Sequence, residues 1–247
     1  MRFALLAVGL LTLAFSSPVA RAGEFTLNLE TGAVWQDRND VRIPPDGGSY
    51  FEFDRFNKGP FFHYRGEASY QFHARHRVRA LLAPFKISVH GKSAQNIDYN
   101  GSTFQADQDL TVNYRFNSYR LTYAYRAWLA GGSYLDVGLT GKIRDANIEL
   151  RQGAITSQNY KNVGFVPLIF LEYNQELSQR LSFNFQTDAA AASQGRAIDA
   201  SLKLRYALND HTQVGLGYRT LEGGADNKKV FTFSWFNYAV ADIGYTF

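Results

Sequence analysis

From residue 24 onward the chain alternates apolar and polar positions at period two, segment after segment. Phe25, Leu27, Leu29, Ala33 and Trp35 stand on one side of the first segment, against Thr26, Asn28, Glu30 and Gln36 on the other. Ile198, Ala200, Leu202, Leu204 and Tyr206 repeat the arrangement against Asp199, Ser201, Lys203 and Arg205. Tyr119, Leu121, Tyr123 and Tyr125 repeat it against Arg120, Thr122 and Arg126. Successive side chains of a strand point to opposite faces, so each segment reads as a strand with one oily face. A soluble sandwich would alternate as well. Aromatic residues near the strand ends, such as Trp35, Tyr125, Tyr206 and Tyr245, favour a membrane barrel, whose interfacial girdles are aromatic. Short polar breaks at 73–76, 131–133, 177–179 and 209–211 alternate with breaks at 37–60, 91–109, 152–161, 192–195 and 223–229, several of them long. The expected fold is all-β, an antiparallel up-and-down transmembrane β-barrel of about ten strands, with about eight or twelve as alternatives. The segment 49–57 reads equally as strand or loop.

Two segments change parity within themselves. After Val112, Tyr114 and Phe116 the apolar set moves to Tyr119 and Leu121; after Leu139, Gly141 and Ile143 it moves to Ala146, Ile148 and Leu150. Each jump predicts a β-bulge, since one extra residue exchanges the two faces. Pro84 predicts a third, where a missing amide proton costs least.

The first residues differ in kind. Arg2 precedes an apolar run from Phe3 to Phe15, thirteen residues long, short of the ~20 that a spanning helix needs. Ser16, Ser17 and Pro18 break the run, and Ala20-Arg21-Ala22 places small residues where signal peptidase reads them. Residues 1–22 are therefore expected to be a signal peptide cleaved before Gly23, leaving 23–247 as one domain. There is no cysteine, which excludes disulfides and thiolate metal sites. The formal charge is +4, but the basic residues are scattered along alternating segments, so no nucleic-acid partner is expected.

The chain closes on Ala239, Ala241, Ile243, Tyr245 and Phe247 at strict period two, with an aromatic last residue. In this it resembles the bacterial outer-membrane β-barrel superfamily, whose final strand ends in an aromatic that the assembly machinery recognises. The resemblance implies a bacterial outer-membrane location after export, with short periplasmic turns and longer external loops. It also implies membrane lipid and lipopolysaccharide as surroundings, the assembly machinery as a partner, and Tyr245 and Phe247 as the assembly signal.

Catalytic motifs are absent from the sequence: no HExxH, P-loop, GxSxG or Cys/His metal spacing occurs, and no cofactor or metal is expected. Gly215 and Gly217 lack the third glycine of a dinucleotide loop. Outer-membrane lipid A deacylases and phospholipases use a His-x-Ser-Asn type segment that this chain lacks. Omptin proteases use acidic and Asp-His pairs at the outer rim, whereas the adjacent pair here, Asp210-His211, falls in a predicted periplasmic turn. An enzyme acting on lipid or peptide is thus the minor alternative.

The lumen carries the remaining chemistry. Alternation points Arg65, Glu67, Arg115, Arg120, Arg126, Lys142, Arg144, Glu172, Asp188, Asp199, Lys203, Arg205 and Arg219 inward. Mixed signs can pair, so the first reading is an occluding, ion-paired plug with a structural role or one in small-solute passage. The alternative is a narrow channel for small anionic solutes or acidic oligosaccharides, since arginine forks bind carboxylate and phosphate well. Strand direction gathers Asp188, Arg196, Asp199, Arg219 and Glu222 at one upper level, with Arg144 approaching across the lumen. Glu222, outward by strict parity, joins only if the chain turns there. The long loops 37–60 and 91–109 could contact an external partner but carry no binding motif, and no soluble ligand can be read from the sequence.

Overall fold

The computed structural model describes residues 23–153, 156–193 and 195–247; the expected signal peptide lies outside the described residues. In chain order the strands are β1 (Glu24–Arg42), β2 (Phe51–Glu52), β3 (Phe61–His73), β4 (His76–Ala83), β5 (Lys86–Lys92), β6 (Ile97–Tyr99), β7 (Ser102–Phe104), β8 (Asp109–Ala130), β9 (Ser133–Gln152), β10 (Thr156–Glu176), β11 (Leu181–Ala192), β12 (Gly195–Ala207), β13 (Thr212–Asn227) and β14 (Val230–Thr246). All neighbours are antiparallel, and β14 pairs with β1 from Thr26↔Thr246 to Arg42↔Phe231, which closes the sheet into a barrel. With β4 and β5 counted as one stave, and β2, β6 and β7 lying off the wall, the barrel has ten strands. Closure leaves no free edge along the β1–β14 seam, so the terminal strands are held by the ladder itself.

The outward rows are those the alternation predicts. Leu27 and Leu29, Tyr119 to Tyr125, Leu202 to Tyr206 and Ile243 to Phe247 all stand on the exposed face. The predicted bulges in β8 and β9 do not exist. Pairing of these strands runs without a shift from Leu110↔Gln152 to Arg126↔Asp136, and the inward row stays on even numbers throughout. What changes at Phe116–Ser118 is the chemistry of the interior, apolar toward the long-loop end and polar toward the short-turn end. An apolar residue facing a core looks the same in sequence as one facing lipid, so the jump imitates a bulge. Pro84 interrupts the ladder without shifting it, because Ala83↔Ser118 and Lys86↔Arg115 share one register. The shifts that do occur lie between Gln36 and Arg38, Gln71 and His73, and Arg126 and Trp128.

Two connections fold over the mouth at the long-loop end. The segment 43–60 contains β2 and a single 3-10 turn at Phe53–Arg55, and 93–108 contains the β6–β7 hairpin. Phe53, Tyr99 and Phe104 drop into the barrel and pack on Tyr114, Ile148, Leu150 and Phe236 from the wall. Tyr99 donates its hydroxyl to the Ile148 carbonyl at 2.9 Å. Burial pushes its phenol up from the ordinary tyrosine range, so that donor stays protonated. By contrast, the predicted loops 152–161 and 223–229 are largely strand, with β10 starting at Thr156 and β13 reaching Asn227. These strand ends are mostly polar residues or glycine, with isolated apolar positions such as Tyr160 and Ala225, and so they lack the sustained period-two contrast that marks a strand in sequence.

Candidate functional site

Below the apolar cap, the lumen is crossed by a layer of paired charges. Arg219 on β13 donates from Nε and Nη2 to both oxygens of Glu30 on β1, at 2.9 and 2.8 Å, and from Nη1 to Asp199 at 2.5 Å. Asp199 on β12 also accepts from Arg65 at 3.0 Å and from Arg120 at 2.6 Å. Arg120 reaches Asp188 at 2.8 Å with its other terminal nitrogen, and Asp188 further accepts from Arg79 at 2.7 Å and Thr140 at 2.6 Å. Eight wall strands thus meet through side chains, each turned inward by strand parity. Nearer the short turns, Lys203 and Arg205 pair with Asp242 at 2.5 and 3.2 Å. There Arg126 holds Asp136 at 2.8 Å, and Arg77 bridges Asp136 and Glu172. Each carboxylate is surrounded by several donors, the condition under which burying charge is tolerated.

Several sequence expectations meet in this layer. Asp188, Asp199 and Arg219 come together at one level, and Arg65, Glu67, Arg120, Arg126 and Lys142 face inward as parity requires. Four residues assigned to the lumen are placed elsewhere or differently. Arg196 and Glu222 ion-pair with one another on the outward rows of β12 and β13 near the rim, with Arg196 5.2 Å from the Phe233 ring. Each shares its row with exposed residues, Leu202 and Tyr218 respectively, and no turn of the chain brings them inside. Arg115 also faces outward, pairing with Asp145 at 3.0 Å, because the bulge that would have turned it inward is absent. Arg144 faces inward but bonds Asn162 on the adjacent β10 instead of crossing to the cluster.

Sequence reasoning passed over Glu30, Arg79 and Asp242 as cluster members. Glu30 was legible from its alternation with Leu27 and Leu29. Arg79 was masked by its apolar row partners Leu81 and Ala83. Among the described residues no histidine forms an ion pair with a carboxylate, and no group of histidine and acidic residues is arranged to hold a metal.

Between the cap and the charge layer lies a cavity of about 580 Å³. The cap fills the side of the lumen formed by β1, β5, β8 and β14. On the opposite side the inward residues are small, Ala190 and Ala192 on β11, Gly195 and Ala197 on β12, Gly223 and Ala225 on β13, so the space stays open to the rim between the long-loop ends of β11 and β12 and those of β13 and β14. Arg120, Asp188 and Asp199 form its floor together with Lys142 and Arg144. Lys142 is only 3% exposed and sits 4.8 Å from the Phe116 ring centroid. Neither Lys142 nor Arg144 takes part in an ion pair among the described residues, whereas Arg65, Arg79, Arg120 and Arg219 around them all do.

No protein-family description and no curated protein matches the chain in sequence. Among solved structures it is similar to the outer membrane protease OmpT from Escherichia coli, with a TM-score of 0.59 at 10% identity, covering 96% of this chain and 99% of that one. It is also similar to the transport unit of the Escherichia coli autotransporter AIDA-I, with a TM-score of 0.46 at 9% identity over 92% of this chain and 91% of that one. For the attachment invasion locus protein Ail of Yersinia pestis the TM-score is 0.43 at 11% identity, over 92% of this chain and 100% of that one. Identities this low speak to architecture and not to activity, and on architecture the ten-stranded closure and the OmpT likeness agree: this chain has the fold of the bacterial outer-membrane β-barrels.

Proposed function

We propose that this chain is an integral protein of a bacterial outer membrane, residing there after export and removal of residues 1–22, and that its lumen is closed to through-passage. On this reading the barrel is a rigid mount for the cavity at its external end, not a pore. The membrane assignment is supported by the outward rows, where Leu29 (65%), Phe62 (71%), Leu121 (66%), Leu139 (71%) and Leu216 (70%) stand exposed around the wall. An apolar belt of that extent is unfavourable in water and favourable in lipid. Its neighbours would be membrane lipid and lipopolysaccharide, and the assembly machinery would read the outward Tyr245 and Phe247 at the periplasmic end.

The observation that carries the closed lumen is the layer from Glu30 through Arg219, Asp199 and Arg120 to Asp188, which spans the lumen in direct contacts of 2.5 to 2.9 Å. Single-channel recording on the refolded mature protein tests it. Silent bilayers with correctly folded barrels are expected; a stable anion-selective conductance would replace this reading with a narrow channel for small anionic solutes.

A further inference from the structure

We propose that the external cavity is a binding site for a small amphiphilic anion, with a carboxylate or phosphate head against Lys142 and Arg144 and an apolar body along Phe116, Ile148 and Leu221. The inference rests on the closed-lumen reading, since a blind cavity holds a ligand where a pore would pass it on.

Charge balance points to the head group. A cation withdrawn from water is costly unless a counter-charge meets it. The other inward cations of the layer satisfy that condition with carboxylates at 2.5 to 3.3 Å, and Lys142 and Arg144 do not. Both side chains line the cavity. Arg144 is fixed by its bond from Nη2 to the Asn162 side-chain oxygen, while its buried Nε has no acceptor. Lys142 is held by the face of Phe116 and has no oxygen acceptor among the described residues. Two cations from one strand, spaced two residues apart on the same face, can close on a single anionic group, and an arginine fork suits both carboxylate and phosphate.

Shape points to the body. At about 580 Å³ the cavity lies within the range of small-molecule sites, ~300–1,000 Å³, which are characteristically apolar with a few placed polar groups. Its walls fit that description, with Phe116, Ile148 and Leu221 as the larger surfaces and Ala190 opposite, where a bulkier side chain would occupy the space. The rim opening lets such a ligand enter from the external side without crossing the charge layer.

The test uses the mature protein in zwitterionic nanodiscs, with equilibrium dialysis of labelled decanoate, decyl phosphate and decanol, and empty nanodiscs to subtract partitioning. Saturable binding of decanoate or decyl phosphate is expected, with the tighter of the two identifying the head group. Lys142→Gln and Arg144→Gln should each weaken anion binding by about tenfold, as loss of a charge-assisted hydrogen bond does, and leave decanol unaffected. Ala190→Phe should remove saturable binding of all probes while the barrel remains folded. Equal decanoate affinity in wild type and both glutamine variants would overturn the site, as would absence of saturable anion binding to folded wild type. Conductance of the same preparation separates the two readings. A silent barrel that binds no anion removes this inference alone, and a conducting one removes the closed lumen beneath it.

Discussion

Arg120 on β8 reaches across the lumen to Asp199 on β12, Nη2 to Oδ2 at 2.6 Å, with both side chains buried. The two strands are not neighbours in the wall, so the contact braces the barrel through its interior instead of along its ladder. Asp199 also receives Arg65 and Arg219, which makes it the point where three guanidinium groups converge.

Replacing that carboxylate should therefore be more damaging than an ordinary lumen substitution. Asp199→Asn leaves buried cations short of a counter-charge and is expected to cost ~3–5 kcal/mol, the range for breaking one partner out of a buried pair. Urea unfolding in lipid vesicles measures it. A loss below ~1 kcal/mol would mean that water screens the layer as it screens surface pairs.

Arg219 links Glu30 beside the β1–β14 seam to Asp199, and it occupies the lumen with its fork. Arg219→Ala is expected to lower the melting temperature and to raise single-channel conductance, because both a brace and an obstruction are removed. An unchanged melting temperature combined with lost anion uptake would turn the plug into a transport element.

Phe247 packs against Tyr245 and Phe25, with ring centroids 4.8 and 5.7 Å apart, on the outward face beside the seam. Its side chain is 65% exposed and so contributes little to internal packing. Deleting it should reduce insertion in cells at native expression while leaving the unfolding midpoint of refolded protein nearly unchanged. Normal insertion of the deletion would remove the assembly role.

Phe53 is fully buried in the cap against Phe51 and Tyr114, at ring-centroid distances of 4.9 and 6.3 Å. Truncating a buried phenylalanine typically costs ~3–5 kcal/mol. The loss should fall on the cap, since the wall ladder does not depend on it. Phe53→Ala is expected to make 43–60 sensitive to protease while the barrel keeps its heat-modifiable band on a gel. Equal protection in variant and wild type would show that the cap is held by other contacts.

Export and location have a direct measurement too. Intact mass should begin at Gly23, and the protein should fractionate with the outer membrane; a soluble periplasmic product would sink the membrane assignment.

Much of the wall could be read from the chain alone. A strand exposes alternate residues to its two sides, and a membrane barrel demands apolar residues on one of them, so rows such as Leu202, Leu204 and Tyr206 or Ile243, Tyr245 and Phe247 announce themselves locally. Most of the inward charges followed from parity, and the meeting of Asp188, Asp199 and Arg219 from parity combined with strand direction. What the chain could not reveal was the inside of the barrel's upper half. Val112, Tyr114, Ile148 and Leu150 face a core made by two folded-over segments, and an apolar residue facing protein carries the same signature as one facing lipid. That ambiguity created two bulges that do not exist and turned Arg115 the wrong way. Which charges pair, and which two cations are left over, was equally out of reach. Arg120 and Asp199 are far apart in sequence and come together only when closure sets the distance across the lumen. Parity is a property of one strand, whereas a counter-charge belongs to the geometry of the closed barrel.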